Sequence, residues 1–166
     1  MDLALDRHSA PAFVLRSGAP GDLDGLLALE RGAFTGDRLS RRSLRHFLGS
    51  PTVALMVAEE SGRLVGYALV LFAARSTAAR LYSIAVAPEW IGRGAGPLLL
   101  AAAEAAARGR GALTMRLEVD ANNVRAIARY RKGGYRPFGR RPGYYESGAD
   151  ALRFQKQLST AIVGLP

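Results

Sequence analysis

The stretch Ile84–Leu100, "IAVAPEWIGRGAGPLLL", carries the first decision about this chain. Its opening residues continue the run "ARLYSIAVA" (79–87), whose apolar and aromatic content suits a strand. Its closing residues begin "PLLLAAAEAAAR", which suits a helix. Between them lies "IGRGAG", Ile91–Gly96, three glycines alternating with Arg93 and Ala95. A glycine loop that ends a strand and opens a helix points several backbone N–H groups at one place, and the helix dipole adds positive potential there. A phosphate-bearing ligand fits such a loop, and Arg93 can add a guanidinium. A tight turn that needs positive φ would also explain the glycines. Two phosphate motifs do not fit. Pro97 stands where a P-loop needs lysine, and the third glycine of G-x-G-x-x-G falls on Pro97 or Leu99, depending on register.

Working outward, "FVLRS" (13–17) reads as a first strand and "LDGLLALERGAF" (23–34) as a helix announced by "PGD". Ser40 can cap a second helix, "RRSLRHFLGS", in which Leu44, Phe47 and Leu48 share one face and His46 lies off it. "TVALMVAE" (52–59) and "LVGYALVLFAA" (64–74) are strand-like runs joined by "ESGR", a hairpin turn. "LTMRLEVD" (113–120) alternates strictly. Leu113, Met115, Leu117 and Val119 face one way; Thr114, Arg116, Glu118 and Asp120 face the other. Asn122 or Asn123 can cap "VRAIARYRK", and Gly133-Gly134 ends it. "YRPFG" and "DALRFQKQL" close the chain as two strands around the loop "RRPGYYESGA". The order is β-α-α-β-β-β-α-β-α-β-β, a single α/β domain over 13–160 behind a loose leader at 1–12.

Composition narrows the chemistry. The chain has 166 residues, enough for one domain with a proper core, and no cysteine, which excludes disulfides, thiolate metal sites and a cysteine nucleophile. His8 and His46 are the only histidines and lie far apart, so no metal site is expected. The net charge is +9, and all but Lys132 and Lys156 of the 23 basic residues are arginine. That balance suits an anionic ligand, an acidic partner or a ribosomal neighbourhood, and equally a solvated surface. The longest apolar run, Ala95–Ala103, is too short for a membrane span, and the N-terminus has no signal-peptide pattern. A cytoplasmic protein without a membrane partner is expected, as a monomer or homodimer.

In two places the sequence resembles the GNAT superfamily of acetyl-CoA-dependent N-acetyltransferases. "IAVAPEWIGRGAGPLLL" is similar to that family's pyrophosphate-binding segment, Gln/Arg-x-x-Gly-x-Gly/Ala, with Gly94 and Gly96 matching and Ile91 in place of Gln or Arg. "LEVDANNVRAIARYRKGGY" (117–135) is similar to its L-E-V-x-x-x-N-x-x-A-I-x-x-Y-x-x-x-G-F/Y segment, with Glu118, Asn123, Ala126, Ile127, Tyr130, Gly134 and Tyr135 matching. The late "YYESGADAL" adds a likeness to the RimI-type ribosomal-protein-alanine N-acetyltransferases.

The resemblance implies the GNAT fold, a mixed and mostly antiparallel sheet flanked by helices, and acetyl-CoA as co-substrate with no metal. It implies direct attack of an amine on the thioester in a ternary complex, which the lack of cysteine allows. Glu118 then is the candidate base and Tyr130 the candidate acid toward the leaving sulfur. Gly92, Arg93, Gly94, Ala95, Gly96 and Pro97 would hold the pyrophosphate. Ile84, Ala85 and Val86 would line the pantetheine arm through their backbone where the strand splays. Asn123 would cap its helix, bond the arm, or both. Tyr144 and Tyr145 would contact the acceptor, and the arginine-rich segment 34–47 would form the opposite wall. The favoured acceptor is a protein N-terminal α-amine. The alternatives are a small amine such as a polyamine, an amino acid or an aminoglycoside, and a non-catalytic CoA- or RNA-binding module on the same scaffold. Nucleic acid is not the expected substrate, because both Glu118 and Tyr130 are retained.

Overall fold

The structure, a computed structural model, describes residues 12–158. The expected leader, apart from Ala12, lies outside the described residues, as do Ser159 and Thr160 at the other end of the expected domain.

The elements follow the order read from the sequence: β1 (Val14–Ser17), α1 (Leu23–Ala33), α2 (Arg41–Gly49), β2 (Val53–Glu60), β3 (Arg63–Phe72), β4 (Ala78–Val86), α3 (Ala95–Gly109), β5 (Thr114–Asp120), α4 (Val124–Lys132), β6 (Arg136–Arg141) and β7 (Ala151–Gln157). Local chemistry explains the punctuation. Ser40 accepts from the Ser43 N–H and caps α2; Asn123 accepts from the Ala126 N–H and caps α4. Ser61 and Gly62 both take positive φ between β2 and β3, the conformation a two-residue hairpin requires.

The strands form one seven-stranded sheet in the order β1-β2-β3-β4-β5-β7-β6. All neighbours run antiparallel except β4 and β5, whose connection passes through α3. Helices α1 and α2 cover one face of β2–β4 through Leu26, Leu29, Leu44, Val57, Tyr67 and Leu69. Helices α3 and α4 cover the other face through Leu99, Ala103, Met115, Leu117, Tyr130 and Phe154. In β5 the expected alternation holds for Met115, Leu117 and Val119, which are buried. Leu113 departs from it and is 47% exposed. It precedes the strand, where its N–H bonds the Thr77 carbonyl, so the pleat does not yet set its direction.

Two buried carboxylates pin loops and helices to the sheet. Glu30 of α1 accepts from the Tyr67 hydroxyl of β3 and, at 2.7 Å, from the Leu39 N–H, tying the α1–α2 loop to the sheet. Glu104 of α3 accepts from the Tyr135 hydroxyl at 2.9 Å and from Lys156 of β7 at 3.1 Å. Each buried charge is thus hydrogen-bonded, as burial demands.

Gly66 of β3 marks the tightest approach beneath the glycine loop. A Cβ there would lie 2.7 Å from the Ala85 carbonyl oxygen and 2.8 Å from Leu99 Cδ1. Both neighbours are fixed, one by the backbone of β4 and one by the core. Gly66→Ala should therefore destabilise the protein by about 1–3 kcal/mol, read as a lower denaturation midpoint with an unchanged denaturant slope.

Candidate active site

The site begins where β4 and β5 part. Their parallel pairing runs only from Ala78↔Thr114 to Leu81↔Leu117. On its other edge, β4 shifts register against β3, with Leu69 opposite Ser83 but Val70 opposite Leu81, so Tyr82 is the extra residue of a bulge. Beyond that point no strand among the described residues lies beside the β5-facing edge of β4, residues 82–86. Its outward N–H and C=O groups are free for a ligand. The gap opens into two clefts of about 830 and 560 Å³ that share Ala33, Phe34, Ile84, Asn123, Ala126 and Arg129. They form one channel across the molecule.

The larger cleft holds the candidate base and acid together. Glu118 of β5 and Tyr130 of α4 both line it, with Ile84, Asn123 and Tyr145. Glu118 does not pair with its strand neighbour Arg116, which lies over the Phe138 ring. It pairs instead with Arg80 of β4 at 3.1 Å and Arg153 of β7 at 3.7 Å. Arg80 also donates to the Tyr144 hydroxyl at 2.8 Å. Tyr144 therefore stands behind the carboxylate's ion pair rather than in the cleft, and Tyr145 is the one of the two that lines it. Burial and the carboxylates nearby push the Tyr145 hydroxyl up from its ordinary value. Sequence reasoning missed Arg80 and Arg153. An arginine inside the apolar run 79–87 was the available signal, but its partner 38 residues away is set by the parallel register.

The 34–47 wall does not present arginines to the cleft. Its lining residues there are Phe34, Thr35, Gly36 and Asp37. Arg38 turns back to the Phe34 carbonyl and Arg41 pairs with Asp24. Asp37, at φ 52°, faces Glu146 of the β6–β7 loop, and each carboxylate accepts from the other residue's N–H at 3.2–3.4 Å. With Glu118 and Asp120, they make this side of the channel acidic.

The smaller cleft is bounded by Ile84, Ala85 and Val86 on one side and by Gly92, Gly94, Gly96 and Pro97 on the other. Gly92 and Gly94 have φ of 82° and 95°, in the left-handed region, and Gly94 stands at the N-cap of α3. This is the geometry by which a loop turns its amides toward an anion. Ala95 is buried, so its side chain belongs to the core. Arg93 lies over the Trp90 ring at 5.0 Å from its centroid, away from the lining of the cleft. Ile91 is 43% exposed.

Comparison with known proteins gives the family and the fold. The profile of the Acetyltransferase (GNAT) family matches residues 23–135. The chain belongs to that family and is an acetyl-CoA-dependent N-acetyltransferase. It is 30% identical over 132 residues to a Bacillus subtilis protein provisionally named a ribosomal protein bS18-alanine N-acetyltransferase, covering 79% of this chain and 86% of that one. It is 37% identical over 112 residues to the N-alpha-acetyltransferase RimI of Mycobacterium tuberculosis, covering 66% and 69%. Its structure is similar to that of the ribosomal-protein-S18-alanine N-acetyltransferase of Escherichia coli, with a TM-score of 0.81, 25% identity and coverage of 93% and 99%. Among the described residues no helix is long and apolar enough to cross a membrane.

Burial raises the Tyr130 pKa to about 12, the Arg129 charge offsetting part of the rise. The unfolded chain's tyrosine ionises near 10. The neutral form is therefore the one the fold retains. Below pH ~10 both states keep the proton and stability is unaffected by this group. As pH rises from ~10 toward 12, the unfolded state alone loses it and the fold weakens by up to about 1.4 kcal/mol per pH unit. Tyr67, Tyr135 and Tyr145 are raised by burial as well and add slopes of the same sign, so denaturant titrations above pH ~10 should show stability falling, and Tyr130→Phe should make the fall shallower by the share of this one group.

Proposed function

We propose that this protein acetylates the N-terminal α-amine of a protein, of the ribosomal-protein-alanine type. The observation that carries the reading is the meeting of Glu118 and Tyr130 in one cleft that is continuous with the glycine-loop cleft. The names of the relatives support the acceptor class.

Acetyl-CoA supplies the activated acyl carbon and a thiol leaving group. Gly92, Gly94, Gly96 and Pro97 hold its diphosphate end, and the free backbone edge of Ile84–Val86 orients the pantetheine arm and donates to the acyl oxygen. The acceptor arrives as an ammonium, drawn by the carboxylates of the larger cleft. Glu118 takes its proton, directly or through one water, and a free α-amine of pKa about 8 requires only modest assistance near neutrality. Arg80 and Arg153 fix the carboxylate on two sides, so its position costs little when the acceptor binds. Tyr130, held neutral by burial, gives its hydroxyl proton to the departing sulfur and regains one from the second proton that the nitrogen sheds as the amide forms. Asn123 keeps the first turn of α4 closed beside the channel.

One observation favours a second reading. Asp37 and Glu146 face each other across the mouth with no cation paired to either among the described residues, an arrangement that also suits a small amine carrying more than one positive charge.

The test is thiol release from acetyl-CoA against a pool of peptides with free N-termini and a pool of small amines. Turnover on the peptides alone is expected. Tyr130→Phe and Glu118→Gln should each lower kcat by roughly 10²–10⁴ while leaving CoA affinity unchanged. Turnover confined to the small amines would overturn the N-terminal assignment. In the same assay, Asp37→Asn combined with Glu146→Gln should raise the acceptor KM several-fold and leave the acetyl-CoA KM in place.

A further inference from the structure

Among the described residues, the Arg129 side chain has no counter-charge and no hydrogen-bond partner. It is in the last turn of α4, an end that favours a cation. Its guanidinium does not stay there. A Cβ on Gly96 would lie 3.1 Å from Arg129 Nη1 and 3.6 Å from its Cζ, so the head group rests over the first turn of α3 in the space that glycine leaves. That is the electropositive end of a fifteen-residue helix, an unfavourable place for an unpaired cation.

Most of the neighbouring arginines are accounted for; Arg125, which also lines the smaller cleft, is the exception and does not reach the larger one. Arg93 stacks on Trp90, Arg131 on Phe154, and Arg153 on Phe138 and against Glu118. Arg129 makes no ion pair, side-chain hydrogen bond or aromatic stack among the described residues. It lines both clefts, beside Gly94 and Gly96 and across from Val86. Gly96 itself is helical with no positive φ, so its lack of a side chain serves space rather than backbone conformation. Ile91, which also lines the smaller cleft, is apolar at the position where the family segment carries Gln or Arg.

We propose that Arg129 is a cofactor-binding residue: seated on Gly96, its guanidinium pairs with the diphosphate of acetyl-CoA and supplies from α4 the charge that Ile91 does not supply from the loop. A bound diphosphate turns two like potentials, the arginine and the helix end, into two ligands of one anion. The inference rests on the family's use of acetyl-CoA and is independent of which amine is the acceptor.

Calorimetric titration with CoA and with 3′-dephospho-CoA, no acceptor present, reads it directly. A charge-assisted contact of this kind is worth roughly tenfold or more in affinity. Arg129→Gln should weaken both ligands by about tenfold, flatten the salt dependence of binding, and leave the Tm of the free protein unchanged or higher. Adding Ile91→Arg to Arg129→Gln should restore part of the affinity. Unchanged affinity would overturn the proposal. So would a loss confined to CoA, which would place the arginine on the 3′-phosphate, or a fall in the Tm of the free protein matching the loss, which would make its role structural. Silence of the acceptor pools would not affect any of these outcomes.

Discussion

The parting of β4 from β5 is the constraint on which the site depends. Two parallel strands are held together for four residue pairs, and then one of them takes an extra residue at Tyr82 and turns away. A bulge of this kind costs ladder hydrogen bonds, and no other strand among the described residues replaces them. What is obtained is a backbone edge inside the molecule, reachable from both sides, between a strand that ends in a glycine loop and a strand that carries a carboxylate. The sheet tolerates the gap because it is fastened on either side of it. Helices α1 and α2 pack on β2–β4, and the β5–β7–β6 ladder closes the other half.

Charge is distributed unevenly along the resulting channel. The half toward Glu118 is lined with Asp37, Asp120 and Glu146, whereas the half toward the glycine loop has two left-handed glycines and a helix N-terminus, and Arg129 stands where the two halves meet. One end attracts an ammonium and the other an anion. This polarity matches a reaction that joins an amine to the acyl group of a phosphate-bearing carrier. It arises within a chain of net charge +9, so the overall balance of the composition says nothing about the acceptor end.

The element order and nearly every boundary were legible in the sequence, because each element is punctuated locally. Ser40 and Asn123 cap their helices through contacts three residues away, and Ser61-Gly62 makes its turn with its own dihedrals. The glycine loop, Glu118, Tyr130 and the family they resemble were legible for the same reason, since each motif is a contiguous segment. Arg93 and Leu113 were read less well: the first was assigned to the ligand by proximity in sequence and stacks on Trp90, and the second was assigned to a pleat that starts one residue later.

What the sequence by itself determined is therefore the set of elements and the chemistry each segment brings. What only the tertiary structure decided is which charges meet. Glu118 finds Arg80 through a parallel register and Arg153 through an antiparallel one, the arginines of 34–47 turn away while Asp37 turns in, and Arg129 leans across to Gly96 on another helix. Those pairings span tens of residues. They depend on where strands sit side by side and where a missing Cβ leaves room, and neither quantity is written in any local stretch of the chain.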